Sequence, residues 1–217
     1  MTARSQTPSL VAAKLARPRI DDVVLRADTL AEFRRATRRR LALVCAPAGY
    51  GKTTVAAAAT ERLGLVSIWY KLDVLDHDPV VFLASLTEAL RARFADFGDA
   101  IRERLRTTAE TPFPIEHMEA MFVKECEQRI DRDVHIVLDD YHEAAESAEL
   151  NRALDYLLAN LPASLRLIVL TRYDPAFSVN KMRLAGDVAA ISAETLRFDA
   201  EQAAAVLAAR TGHQPRR

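Results

Sequence analysis

The 217-residue sequence predicts an α/β fold, a three-layer αβα sandwich in which helices cover both faces of a central parallel sheet. Two observations support this prediction. Short apolar runs of strand length alternate with longer segments of helical periodicity along most of the chain. Residues 41–54 join one such run to a glycine-containing turn and then to an alanine-rich helix, the strand–turn–helix unit of parallel sheets.

Hydrophobic periodicity and turn residues locate the individual elements. The expected strands are 41–45, 66–72, 134–138, 165–170 and 188–191, and the expected helices are 29–40, 52–63, 80–94, 99–106, 115–130, 147–160 and 200–210. Thr29 and Glu32 have the spacing of a capping box, and Asp199 is the expected cap of the last helix. Residues 1–20 are predicted to form an extended N-terminal segment, and 21–217 the folded domain.

Net charge, cysteine content and the length of the apolar runs argue against several classes of protein. Lys and Arg number 30 and Asp and Glu number 30, so the zero net charge argues against a strong electrostatic binder of nucleic acid or anionic membrane. Cys45 and Cys126 show no metal-ligand spacing, which fits a reduced, cytoplasmic context. No apolar run approaches about 18 residues, so neither a membrane span nor a secretory signal is expected.

The first expected helix is strongly basic, since it contains Arg34, Arg35, Arg38, Arg39 and Arg40. A nucleic-acid patch is one interpretation. The favoured one is a solvated helix face with cations near its C-terminus, where they complement the helix dipole.

Residues 46–54 (APAGYGKTT) have the layout of a P-loop, in which glycine-rich backbone wraps a phosphate chain at a helix N-terminus. Gly49 and Gly51 let the backbone turn tightly and approach phosphate oxygens. The consensus has a third glycine where this chain has Ala46, but the strand and helix context is intact. The motif predicts a P-loop NTPase fold that binds ATP or ADP with Mg²⁺.

Each position of this loop has an expected contact. Lys52 is expected to reach the β- and γ-phosphates, and the Thr53 hydroxyl to ligate Mg²⁺. Thr54 is expected just behind them. The full set of expected nucleotide contacts in the loop is Ala48, Gly49, Tyr50, Gly51, Lys52, Thr53 and Thr54.

A second motif follows the apolar strand 134–138, which runs directly into Asp139 and Asp140. A hydrophobic strand that ends in an acid is typical of a Walker B motif. Asp139 is expected to hold Mg²⁺ through a water and to face Thr53, while Asp140 polarises the attacking water. Adjacent carboxylates near phosphates are costly without a cation, which favours a metal over a plain acidic turn.

The order of the strands favours the ATPase-like (ASCE) branch of P-loop proteins. A strand at 66–72 lies between the two motifs in sequence, as expected when another strand separates the motif strands in the sheet. An Asn-Lys-x-Asp guanine-reading motif is not present, which favours ATP as the nucleotide.

Two further residues have alternative interpretations. Arg172 ends the strand 165–170 and is expected to sense the γ-phosphate, but it could instead pair with Asp139 or Asp140. His142 could orient Asp140 or touch a partner domain, or it could be a surface histidine of the loop.

With these motifs in place, the chain resembles the nucleotide-binding domain of MalT-like regulators, the large ATP-binding members of the LuxR family, which are STAND-class signal-transduction ATPases. Alanine in place of the first P-loop glycine is ordinary in that family. The segments that carry the resemblance are 14–18 (KLARP), 24–26 (VLR), 46–54, 69–73 (WYKLD) with 76, 78 and 79, 137–142 (VLDDYH), 170–172 (LTR) with 174 and 175, and 196–198 (LRF).

The resemblance implies a nucleotide switch. ATP and an inducer would favour an open, self-associating state, ADP a closed resting state, and slow hydrolysis would reset the switch. By position, Val24 and Arg26 match the segment that packs against adenine and ribose. Family members continue into winged-helix, sensor and DNA-binding helix-turn-helix parts that this sequence has no room for, so specific DNA binding by this chain alone is not expected.

Three functions remain in competition. The first is an ATP-binding switch with weak Mg²⁺-dependent ATPase activity, the second a non-hydrolysing protein-interaction module, and the third a P-loop kinase acting on a small acceptor. Intact Lys52, Thr53, Asp139 and Asp140 favour the first over the second. The third is disfavoured because no arginine-rich lid is visible in the sequence.

Overall fold

A computed structural model describes residues 13–20, 23–107 and 114–198 of the chain. Its centre is a five-stranded parallel sheet with the order β2-β3-β4-β1-β5. The strands are β1 (Leu41–Cys45), β2 (Ser67–Lys71), β3 (Val134–Asp139), β4 (Leu165–Thr171) and β5 (Val188–Ser192). The predicted parallel sheet is confirmed, and β4 is the strand that separates β1 from β3.

Helices lie on both sides of this sheet. They are α1 (Ala27–Ala36), α2 (Lys52–Arg62), α3 (Pro79–Arg91), α4 (Asp99–Thr107), α5 (Ile115–Arg129), α6 (Ala148–Asn160), α7 (Val179–Ala185) and α8 (Ala193–Leu196), with 3-10 helices at Val74–His77 and Tyr141–Glu143. Over the described residues, no helix is both long and apolar enough to cross a membrane.

The sheet separates two hydrophobic clusters, because successive side chains of a strand point to opposite faces. Leu41 and Leu43 of β1 pack in the cluster that contains α3, α5 and α6. Ala42 and Val44 pack in the cluster that contains α1 and α2. The three-layer αβα sandwich predicted from the sequence is therefore the observed architecture.

Two ion pairs attach the N-terminal segment 13–20 to the 3-10 helix after β2 and its capping residue. The Lys14 ammonium lies 2.9 Å from Asp76 and 2.7 Å from Asp73. Asp76 is fully buried and also accepts hydrogen bonds from the Tyr70 hydroxyl and the Asp73 N–H. A buried carboxylate needs such partners, so Lys14 fastens this segment to the folded domain.

Several expected boundaries differ from the structure. The helix expected at 29–40 begins at Ala27, so the capping-box prediction is wrong: the Thr29 hydroxyl donates instead to the Thr195 carbonyl at 3.1 Å. Residues 13–15 are helical, not extended. The remaining expected elements match within a few residues, whereas residues 1–12 and the expected helix 200–210 with its cap lie outside the described residues.

Candidate functional site

The predicted motifs meet at one edge of the sheet. Because β4 lies between β1 and β3, the segments that follow these three parallel strands are neighbours at their carboxyl ends. The loop after β1 passes through two left-handed glycines, Gly49 (φ 83°) and Gly51 (φ 70°). Space is open around a Cβ at Gly49, so it is the backbone conformation that requires glycine.

Lys52 is the first residue of α2, and its side chain turns back over the loop. Its ammonium donates to the carbonyls of Ala46 at 2.7 Å and Pro47 at 3.0 Å. Burial, followed by the nearby Arg172, lowers the pKa of Lys52, and its acidic neighbours partly oppose this. A buried cation is thus held where the loop would wrap a phosphate chain.

Thr53 and Asp139 are in direct contact across the site. The Thr53 hydroxyl donates to the Asp139 carboxylate at 3.0 Å. Burial, followed by the adjacent Asp140, raises the pKa of Asp139, whereas the hydrogen bond from Thr53 opposes this shift. The structure therefore brings together the two residues that the sequence predicts as Mg²⁺ contacts.

The donor set of this pair fits Mg²⁺. The ion prefers oxygen ligands and is usually held by one or two carboxylates, waters and substrate phosphates. The described residues contain no group of three or more His, Cys, Asp or Glu side chains that could hold a metal alone. A divalent ion here would depend on nucleotide oxygens, and its charge would offset the repulsion between Asp139 and Asp140.

Asp140 is held in an unusual backbone conformation. It is left-handed (φ 53°, ψ 37°), and its N–H donates to the Asp139 carboxylate at 2.9 Å. Its own carboxylate lies 3.2 Å from the Lys71 ammonium. The hydrogen bond to Asp140 is also the main cause of the raised pKa of Lys71.

Sequence reasoning gave no role to Lys71. The residue ends β2, whose pairing with β3 places Lys71 opposite Asp139. Lys71 lies beside Asp139 because β2 is next to β3 in the sheet. No local sequence signal near Lys71 reveals this strand order.

Arg172 follows β4 and is half-exposed. Of its two alternative ion pairs, with Asp139 or with Asp140, the structure forms neither within the described residues. The Arg172 guanidinium lies instead 3.9 Å from the carboxylate of Glu143. Arg172 nevertheless lies close enough to lower the pKa of Lys52, so it belongs to the same site.

His142 lies under the site and not on its surface. Its side chain is 4% exposed, so the interpretation as a surface histidine of the loop is wrong. Burial, followed by Arg172, lowers the pKa of His142. The Tyr173 hydroxyl donates to the His142 carbonyl at 3.2 Å, and the two rings meet edge to face, with centroids 6.2 Å apart.

A cavity of about 460 Å³ opens beside the loop. Tyr50 and Thr54 line one side, and Val24, Leu196 and Phe198 line the other. Val24 and Phe198 are exposed apolar side chains. An open, partly apolar cavity next to a phosphate-binding loop has the character of a nucleoside pocket.

Arg26 is not among the residues that line this cavity. Its guanidinium donates to the carbonyls of Thr195 at 2.5 Å and Arg197 at 2.8 Å. Arg26 thereby fixes the end of α8, which carries Leu196 and precedes Phe198. Its predicted contact with the nucleotide stays a prediction.

A larger cavity of about 610 Å³ lies at the opposite edge of the sheet, where Leu165 begins β4. Arg38, Arg40 and Lys181 line it, but it contains none of the predicted site residues. The Arg40 guanidinium donates to the Leu161 carbonyl at 2.5 Å. At least this member of the basic group in and after α1 therefore has a structural role.

Comparison with known proteins agrees with this geometry. Residues 34–173 match the family AAA_22, an AAA domain. The chain is also 32% identical over 173 residues to the serine/threonine-protein kinases PknK of Mycobacterium tuberculosis and Mycobacterium bovis. Each alignment covers 78% of this chain but 15% of the relative, so the chain spans a small part of these longer proteins.

Two solved structures show the same fold. A signal transduction ATPase with numerous domains (STAND) and a tetratricopeptide repeat sensor, from Pyrococcus horikoshii, has a TM-score of 0.64 at 21% identity, covering 92% of this chain and 27% of that one. The ORC1 protein of Aeropyrum pernix, solved in complex with DNA, has a TM-score of 0.53 at 16% identity, covering 95% of this chain and 52% of that one.

Proposed function

Because the chain belongs to the AAA domain family, we propose that it is an ATP- and ADP-binding switch domain with slow, Mg²⁺-dependent ATP hydrolysis. The main supporting observation is the contact between Thr53 and Asp139, 3.0 Å apart across the site. This contact connects Thr53 of the P-loop to Asp139, the acid of the predicted Walker B motif. The matched residues 34–173 contain both motifs and Arg172.

The phosphate-binding part of the proposal rests on the loop and on α2. The backbone at Ala48, Gly49, Tyr50 and Gly51 would surround the phosphates at the N-terminus of the helix. Lys52 would exchange the Ala46 and Pro47 carbonyls for phosphate oxygens. Thr54 lines the adjoining cavity.

Thr53 and Asp139 would hold Mg²⁺, which supplies positive charge against the charge that develops on the phosphates. Asp140 would orient and polarise the attacking water. Lys71 steadies the Asp140 carboxylate through the pair at 3.2 Å. Arg172 would meet the terminal phosphate and so distinguish ATP from ADP.

We further propose that this switch is of the MalT-like, LuxR-family kind. The motif set of the sequence and the fold shared with a STAND protein that carries a repeat sensor support this placement. The nucleotide state would then control self-association or contact with further signalling domains. The mycobacterial kinases match over 15% of their own length, which is too little to support kinase activity in this chain.

A non-hydrolysing interaction module is the second candidate. The pairing of Asp140 with Lys71 favours it, because the carboxylate expected to activate water already has a cationic partner. The two candidates share the nucleotide site and differ only in turnover.

Calorimetric titration of ATP and of ADP, each with Mg²⁺, followed by measurement of released phosphate, tests the proposal. Binding with slow phosphate release in the absence of an acceptor is the expected result. Binding without release would favour the interaction module, and phosphate found on a small acceptor would indicate a kinase. Failure of the folded protein to bind either nucleotide would overturn the proposed function.

A further inference from the structure

The carboxylate of Glu143 lies between two side chains on neighbouring loops, His142 after β3 and Arg172 after β4. Glu143 ends the 3-10 helix after β3, and its Oε1 lies 3.2 Å from Nε2 of His142. The same oxygen lies 3.9 Å from a guanidinium nitrogen of Arg172, which follows β4. Tyr173 ties the two loops together through its hydrogen bond to the His142 carbonyl. Glu143 is thus placed to pair with either neighbour.

His142 has an unmet hydrogen-bonding capacity. Neither ring nitrogen has a hydrogen-bond partner of suitable geometry among the described residues, although Glu143 is only 3.2 Å away. Burying an imidazole without partners is costly, so such a group in a native structure calls for an explanation. A neutral ring has one N–H to donate, and a carboxylate is the natural acceptor for it.

We propose that Glu143 selects between the nucleotide states: it holds Arg172 when the terminal phosphate is absent, and it turns to the ring of His142 when Arg172 moves to that phosphate. This inference rests on the proposed function, because it assumes that a nucleotide occupies the P-loop. It adds a specificity-determining role for Glu143 and a positioning role for His142.

The charges favour this exchange. The Arg172–Glu143 pair is long, and its side chains are 47% and 45% exposed, so it is a weak ion pair. A terminal phosphate offers Arg172 several anionic oxygens and stronger charge-assisted hydrogen bonds. The guanidinium should therefore leave Glu143 when that phosphate is present, and stay when the nucleotide is a diphosphate.

The released carboxylate then has a partner at hand. Left unpaired, Glu143 would face the incoming phosphate as a like charge, which opposes binding. His142 offers a donor 3.2 Å away, so a small side-chain rotation is enough to make a hydrogen bond. The exchange would give the buried imidazole a hydrogen-bond partner in the triphosphate state.

Glu143→Gln is the direct test, because it keeps the side-chain shape and removes the charge that competes for Arg172. With Mg²⁺, affinity for a non-hydrolysable ATP analogue should rise about two- to fivefold, the range of an exposed ion pair. Affinity for ADP should stay within about twofold. Glu146→Gln, which removes another exposed carboxylate from the same loop, is the matched control and should change neither affinity.

The double variant separates this role from a general charge effect. In an Arg172→Gln background, Glu143→Gln should have no further effect on the affinity for the ATP analogue, because the residue it restrains is gone. An equal gain for ATP analogue and ADP, a gain that persists without Arg172, or the same gain in Glu146→Gln would each overturn the inference.

The positioning role of His142 can be tested separately by NMR. Ring resonances of His142 in labelled protein should shift when the ATP analogue binds and much less when ADP binds, and Glu143→Gln should reduce the shift. Equal shifts with both nucleotides would contradict the exchange. If the folded wild type binds neither nucleotide, the proposed function fails too, whereas binding that Glu143→Gln leaves unchanged refutes only this inference.

Discussion

Replacing Lys52 by methionine removes the cation that lies over the loop and keeps a side chain of similar length. In the free protein this ammonium already donates to the carbonyls of Ala46 at 2.7 Å and Pro47 at 3.0 Å. Under the proposed function, nucleotide binding would replace these two neutral acceptors by charged phosphate oxygens. The net loss in the variant should match one charge-assisted contact, about 2–3 kcal/mol.

That loss corresponds to ATP affinity about 30- to 150-fold weaker at 25 °C. Folding should survive, because burial lowers the pKa of Lys52 and the native state already disfavours its charge. We expect the free energy of unfolding to change by less than about 1 kcal/mol. Calorimetric titration with Mg²⁺ and urea denaturation measure the two quantities on the same sample.

Lys124→Met, on an exposed position of α5, is the matched control and should bind ATP like the wild type. A folded Lys52→Met variant with ATP affinity within about twofold of the wild type would refute the reasoning. The ammonium would then make no contact with the phosphates, and its position over the loop would be structural.

Three further predictions concern Asp140, the Lys14–Asp76 pair and His135. Asp140→Asn should keep ATP affinity within about threefold but slow phosphate release at least tenfold, as expected for loss of a general base, and unchanged turnover would remove that role. Lys14→Met should lower the free energy of unfolding in urea by about 3 kcal/mol, because it leaves the fully buried Asp76 carboxylate without its cation. Arg17→Met, which breaks the exposed pair with Glu61, should lower it by less than about 1 kcal/mol. Equal losses would contradict a stabilising role for the buried Lys14–Asp76 pair. Burial lowers the pKa of His135 below its ordinary 6.5, so the unfolded chain takes up the proton first. The free energy of unfolding should therefore fall between about pH 7.5 and about 5.5, and a His135→Gln variant with an equally steep fall would exclude His135 as a cause.

The sequence predicted best what local patterns encode. The P-loop is one contiguous strand–turn–helix unit, so its order and its glycine requirement can be read within 14 residues, 41–54. The acid at the end of β3 and the cation after β4 were located for a similar reason, since a parallel sheet brings the ends of its strands to one edge. The prediction that another strand separates β1 from β3 is confirmed, with β4 in that place.

Contacts between distant parts of the chain were not predicted where no motif marks both partners. Lys71 meets Asp140 only because β2 pairs with β3, and Leu196 reaches the cavity beside Tyr50 because β5 pairs with β1. Thr29 and Glu32 have the spacing of a capping box, but the Thr29 hydroxyl donates its hydrogen bond to the Thr195 carbonyl, 166 positions away. Sequence spacing alone cannot weigh such tertiary competitors.

The left-handed backbone of Asp140 has an evolutionary consequence. Glycine reaches this conformation with less strain than aspartate does, so the fold gives up some stability to present a carboxylate at this point. Selection for thermal resistance alone would tend to replace Asp140 by glycine, whereas the proposed hydrolysis would require the carboxylate to be kept. Under the proposed function, stability and turnover would therefore make opposite demands on position 140.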